Sequence, residues 1–143
     1  MKPTRILVVD DEPGMLRAIE RVLGPHHQVT TSGSSTQALE LAAALGGSWR
    51  RLGAVTAAMF ASGDIEAAMA NSAVYLEAFG HIVIAWMWLE QFLAAGDQPG
   101  DFYDGKRQAA RYFFRYELPR TLPQLQLLES LDRTTLDMRP AWF

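Results

Sequence analysis

Two adjacent carboxylates, Asp10 and Asp11, close the apolar run Ile6-Leu7-Val8-Val9, with Glu12 behind them. Carboxylates fixed side by side on a backbone are hard-oxygen ligands suited to Mg²⁺. In open α/β sheets, ligands gather at the C-terminal ends of strands, which is where this pair falls. With no third protein ligand the ion keeps most of its waters, so the expected Mg²⁺ binding at Asp10 and Asp11 is weak. The favoured alternative has Asp11 capping the next helix and Asp10 left solvated. No other cofactor is expected.

The remaining reactive side chains point to structure before chemistry. His81 follows Glu77 by one helical turn, a spacing at which a carboxylate favours the imidazolium. No nucleophile or second ligand stands near them in sequence, so a hydrogen-bonded structural histidine is expected and no catalytic residue is assigned. His26-His27 fall in a loop without metal partners. Arg107, Arg111 and Arg115 recur every four residues. Counted at about 100° per residue, they lie opposite Ala109, Tyr112, Phe113 and Tyr116. A solvated stripe paired with acidic groups is favoured over a phosphate or coenzyme A contact, because the net charge is −3 and no glycine-rich cradle accompanies it. Tyr75, Phe79, Trp86, Trp88, Phe113 and Phe114 sit at helical spacing and are expected in the core. Ser34, Ser35 and the threonines lack the histidine or carboxylate that would mark a nucleophile.

These groups must be positioned by a short chain. At 143 residues there is room for one domain or two very small ones. A hydrophobic share of 49% and a charged share of 20% are ordinary for a globular protein. The negative balance argues against a nucleic-acid partner. The absence of cysteine excludes disulfides and thiolate chemistry, and permits a reducing compartment. The N-terminal apolar run is too short for a signal peptide. The longest one, Ile82 to Leu89, falls far below the roughly 18 residues of a membrane span. A cytoplasmic protein with no membrane partner is expected.

Arg5 to Val9 reads as a strand buried on both faces. Pro13 suits the first turn of a helix whose apolar face is Met15, Ile19, Val22 and Leu23. Gln28 to Thr31 forms a second strand. A helix from about Ser35 meets Gly46-Gly47, which would ordinarily end it. Its apolar positions Leu39, Ala42, Leu45, Trp49, Leu52, Val55 and Met59 keep helical phase across the glycines, so one long helix is expected. Asp64 can cap a third helix running from about Ile65 to Ala95. That helix is apolar nearly all round at its centre, as for the most buried member of a bundle. Asp101 caps a helix to about Tyr116, and Pro119 opens a last segment carrying Leu122, Leu125 and Leu128.

Two resemblances follow from these residues. Residues 1–40 resemble the start of a response-regulator receiver domain: the strand Ile6 to Val9, the acid pair Asp10-Asp11 with Glu12, the helix from Pro13, the strand around Val29, and Ala38-Leu39. The resemblance implies Mg²⁺ at the acid pair and a phosphorylated aspartate after a third strand; that strand, its aspartate, and the family's later Thr/Ser and Lys have no counterpart here. Residues 41–143 resemble the accessory C-terminal helical domain of some acyl-CoA dehydrogenases. The matching residues are Asn71-Ser72-Ala73-Val74-Tyr75-Leu76, Phe79-Gly80-His81, Ala85-Trp86-Met87-Trp88-Leu89, Phe102-Tyr103 with Gly105-Lys106, Ala109 to Phe114, Glu117-Leu118-Pro119 and Ala141-Trp142-Phe143. In those enzymes the flavin pocket and catalytic carboxylate lie upstream, so no activity carries over to a residue here. The two likenesses meet inside one helix near Ala38 to Ala44 without a linker, which suggests a chimera.

The expected fold is mainly α: an antiparallel four-helix bundle preceded by a short β-α-β unit. The expected function is a non-catalytic structural or interaction module. A receiver-like signalling module and a fragment of a flavin-dependent dehydrogenase are the alternatives. An unpaired apolar strand edge invites association, so the edge Ile6–Val9 is expected to pair with a second copy as a homodimer, or to be covered by Trp142-Phe143.

Overall fold

The computed structural model describes residues 4–9, 13–32 and 35–143. Strand β1 (Arg5–Val9), helix α1 (Pro13–Leu23) and strand β2 (Gln28–Ser32) come first. The two strands pair in parallel, from Arg5 opposite Gln28 to Val9 opposite Ser32. A parallel pair needs a crossover between its strands, and α1 supplies it, packing against both. Its inward residue is Leu16, while Met15 and Val22 stand exposed, so the apolar face is narrower than the spacing suggested. Ile6 and Val8 are half-buried rather than enclosed on both sides. No third strand joins this sheet among the described residues.

Helix α2 (Ser35–Ala61) runs unbroken through Gly46-Gly47. Two interior glycines cost about 1 kcal/mol each relative to alanine. Leu45, Leu52 and Val55 on either side of the pair are buried, and each contributes about 1.5–3 kcal/mol, so burial wins. Gly63 then turns the chain at φ +73°. Asp64 caps α3 (Ile65–Ala70), its Oδ1 accepting from the Ala67 amide at 3.0 Å.

A single helix from Ile65 to Ala95 does not form. The chain breaks at Asn71 (φ −111°, ψ 31°) before α4 (Ser72–Ala95). The buried Asn71 side chain donates through Nδ2 to the Asp132 carbonyl at 2.8 Å. The bond ties the break to the segment after α6 and satisfies a buried polar group that would otherwise stand unpaired.

Helix α5 (Asp101–Tyr112) follows a loop. Its N-cap is Gly100, so Asp101 is the first helical residue and not the cap. Nor does α5 reach Tyr116 as a regular helix: Phe113–Glu117 widens into a π turn, where the Leu118 amide bonds the Phe113 carbonyl five residues back. A 3₁₀ turn (Leu118–Arg120) leads into α6 (Thr121–Glu129), and a final 3₁₀ turn spans Pro140–Trp142.

The core lies where α2, α4, α5 and α6 meet, around Val55, Ile82, Phe92, Ala110, Leu125 and Leu128. The chain is mainly helical, with one small parallel sheet laid against α2 and α4. Helix α4 is less enclosed than its composition predicts. It buries Ala78, Ile82, Ala85, Leu89 and Phe92, yet Leu76, Ile84, Trp86 and Met87 face outward. By length and composition α4 could cross a membrane, with a mean hydropathy of 1.3 over its most apolar window, which exceeds the expectation from the shorter run Ile82 to Leu89. A core helix passes the same test, and the buried side of α4 packs against α2, α5 and α6.

Candidate functional site

Asp10 and Asp11 lie outside the described residues, as does Ser34. Ser35 opens α2. Among the described residues no group of three or more carboxylates and histidines is arranged to hold a metal. His26 and His27 follow α1, and the backbone amides of both bond the Leu23 carbonyl. His26 is exposed and His27 half-buried, and neither meets a ligand partner.

His81 is held as a structural histidine, though not by the group its spacing suggested. Its Nδ1 lies 2.9 Å from the main-chain carbonyl of Glu77, and the carboxylate of Glu77 is not its partner. A carbonyl can only accept, so Nδ1 carries the proton. Nε2 then faces Glu117, whose Oε2 is 3.9 Å away and also takes Arg120 at 2.9 Å. The π turn sets Glu117 at this place, a relationship invisible at the level of α-helical spacing.

The arginine stripe separates into two roles. Arg107 ties off the end of α4: it donates to the carbonyls of Gly96 at 2.6 Å and Gln98 at 3.0 Å, and pairs with Asp104 at 2.6 Å. Free carbonyls at a helix C-terminus are satisfied by such a cation. Arg111 grips Gln37 on α2, its Nε and Nη2 at 2.9 and 2.7 Å from one amide oxygen. Its guanidinium also lies 6.0 Å from the centre of the Phe92 ring. Arg115 is exposed and forms no ion pair among the described residues. The expected pairing of the stripe with acidic groups therefore holds for Arg107 alone.

Arg111 and Arg115 line a cavity of about 580 Å³ between the first half of α2 and the end of α5. Tyr112 and Tyr116 line it too, their rings 5.0 Å apart and inclined at 36°. They are not opposite the arginines but beside them on the same wall. An α-helix advances about 40° for every four residues, so aligned side chains drift apart. The wider π turn holds somewhat more than four residues and cancels much of that drift. Ala110, Phe114 and Leu118, also four apart, are all buried. The doubled pattern Arg-Tyr at 111–112 and 115–116 is the signal in the sequence that marks this wall.

A second, smaller cavity of about 330 Å³ lies between α2, α3 and the start of α4. Its lining is apolar except for the hydroxyls of Thr56 and Tyr75, which are 3.0 Å apart, and Ser72. Phe60 (70% exposed), Met69 and Leu76 (66%) form its rim. Of the six expected core aromatics only Phe114 is buried. Tyr75, Trp88 and Phe113 are partly buried, whereas Phe79 and Trp86 are exposed at 39% and 47%. Phe79 packs edge-on to Trp49 and stacks on Tyr75.

The family model described as acetyl-CoA dehydrogenase C-terminal like matches residues 18–139. The match begins within α1 and takes in β2 and the Ala38 to Ala44 segment as well as every later helix. No curated protein and no solved structure matches the chain. With most of its length matched, the chain belongs to the acetyl-CoA dehydrogenase C-terminal like family.

Proposed function

We propose that this member of the acetyl-CoA dehydrogenase C-terminal like family is a non-catalytic helical module that works through its surfaces. The observation that carries this reading is the apolar rim of Phe60, Met69 and Leu76 around the α2–α3–α4 cavity. Contiguous exposed apolar surface of this kind marks an interaction site. The four main helices are read as an antiparallel bundle: Thr56 meets Tyr75 and Trp49 meets Phe79, so contacts run down α2 as they run up α4. A cytoplasmic setting goes with this reading, and so does a homodimer through β1.

The edge of β1 away from β2, which no strand pairs among the described residues, supports the dimer. The Gln28 amide bonds the Thr4 carbonyl. In a parallel ladder alternate residues face the partner, so Thr4, Ile6 and Val8 face β2. The backbones of Arg5, Leu7 and Val9 point to the open side. Light scattering over a range of concentrations tests this: a dimer is expected for the native chain and a monomer for Leu7→Pro, which deletes one outward donor. A native chain that stays monomeric throughout removes the dimer. Oxidation of an acyl-CoA thioester by the purified chain, with an artificial electron acceptor, would overturn the non-catalytic reading.

The parallel β1–α1–β2 unit favours a second reading, in which residues 1–40 are a receiver-like segment recombined with the bundle and Asp10 and Asp11 hold Mg²⁺ weakly. A Mg²⁺ titration that leaves the Asp10 and Asp11 resonances unmoved disposes of the metal.

A further inference from the structure

The cavity between α2 and the π turn has the chemistry of a ligand site. We propose that it binds a planar aromatic monoanion, a ring carrying one carboxylate or one phosphate ester charge, with the ring on the Tyr112–Tyr116 wall and the charge at Arg115. This goes beyond the surface-module reading and does not depend on it.

Size comes first. About 580 Å³ lies within the range of small-molecule sites, roughly 300–1,000 Å³, and suits a ligand of one or two rings.

Charge selects the sign. The lining holds Arg111 and Arg115 against the single carboxylate of Glu40. One positive charge is in excess, so one negative charge is matched and two are not. Glu40 makes no ion pair with either arginine.

Hydrogen-bonding capacity points the same way. Gln37 uses its carbonyl on Arg111, and its NH₂ has no partner among the described residues. That grip, with the Phe92 ring beneath, fixes the Arg111 guanidinium before any ligand arrives. A pre-set donor loses less freedom on binding than a flexible one. Arg115 is the cation free to move onto the ligand, as charge-assisted pairing with a carboxylate or phosphate requires.

Ring selectivity comes from the tyrosines. Both are more than half exposed, at 55% and 57%, so their faces are open. Aromatic faces prefer offset stacking on another ring. Leu41 and Phe114 complete an apolar floor.

The test is a titration of the full chain followed by amide and side-chain NMR. The probes are 1-naphthoate, its neutral isostere 1-naphthamide, ring-free acetate, and adenosine 3′,5′-cyclic monophosphate, a phosphodiester with a single charge, for the phosphate source. Saturable shifts are expected at Gln37, Gln108, Tyr112 and Arg115 with naphthoate or with the nucleotide. Whichever of the two binds tighter identifies the anion. Naphthamide is expected to bind about tenfold more weakly, the size of one lost charged hydrogen bond. Acetate, which keeps the charge, is expected to bind about tenfold more weakly for want of ring stacking and apolar burial. Arg115→Gln is expected to weaken binding by about tenfold with an unchanged unfolding midpoint. Arg50→Gln, exposed on α2 and outside the cavity lining, is expected to change neither. No saturable shift at these residues with either anion overturns the proposal. So does equal affinity of the native chain and Arg115→Gln, or acetate binding as tightly as naphthoate.

Discussion

Arg133 reaches back to Asp64, with Nη1 2.7 Å from Oδ2, while Oδ1 of the same carboxylate caps α3 at Ala67. One side chain thus serves a helix start and anchors the chain beyond α6. The ion pair is about half exposed at both ends, at 46% and 47%, so solvent screens most of its Coulombic worth. The cap is the larger contribution. Asp64→Ala is expected to cost about 1–2 kcal/mol, and Arg133→Ala at most about 0.5 kcal/mol. Urea unfolding of the two variants measures the difference; equal losses would put the weight on the ion pair.

Asn71 and Asp132 form the neighbouring tie. Asn71→Ala removes the buried donor to the Asp132 carbonyl and leaves that oxygen unpaired. A loss of about 1–3 kcal/mol is expected. The segment after α6 should also loosen, so trypsin should cut at Arg133 faster in the variant than in the native chain. Unchanged cleavage would mean that the tail is held by other contacts.

Glycines in and beside the helices divide by the space around them. A Cβ at Gly47 or Gly53 meets nothing, and both sit inside α2. Gly47→Ala and Gly53→Ala are each expected to stabilise by about 0.5–1 kcal/mol. At Gly24 a Cβ would stand 2.5 Å from the Glu20 carbonyl oxygen, so Gly24→Ala is expected to destabilise. Thermal unfolding of the three variants checks the signs.

The aromatic residues offer a contrast between core and surface. Phe92 is 1% exposed, and Phe92→Ala is expected to cost about 3–5 kcal/mol. Trp86 is 47% exposed, and Trp86→Ala is expected to stay within about 0.5 kcal/mol. Denaturant midpoints separate the two. Equal losses would mean that the half of Trp86 covered within the chain packs like the core.

What could be read from the sequence follows from where its patterns are one-sided. Helix α2 was legible through Gly46-Gly47 because Leu45, Leu52 and Val55 share a phase. The parallel strand pair and the Asp64 cap were legible from residue type and spacing. Trp86 and Phe79 were not, because a helix apolar on every face carries no periodicity to say which face is inside. The break at Asn71 was hidden for a related reason: the residues before and after it are alanine-rich and suit either one helix or two. Tyr112 and Tyr116 were misplaced by setting them against the stripe as a whole: each follows an arginine by one residue, about 100° round the helix, and one broad cavity takes in both.

That widened turn has a genetic meaning. A π turn is what an α-helix becomes when it holds one residue more than its regular winding allows, with the flanking turns left in place. Ala110 before it and Leu118 after it both remain in the core. Removing one residue between them would let the helix close up regularly while its ends stayed packed. The Arg-Tyr wall would lose its alignment and the molecule would keep its fold. A pocket of this kind can therefore be gained or lost by a single codon, without the protein having to refold around the change.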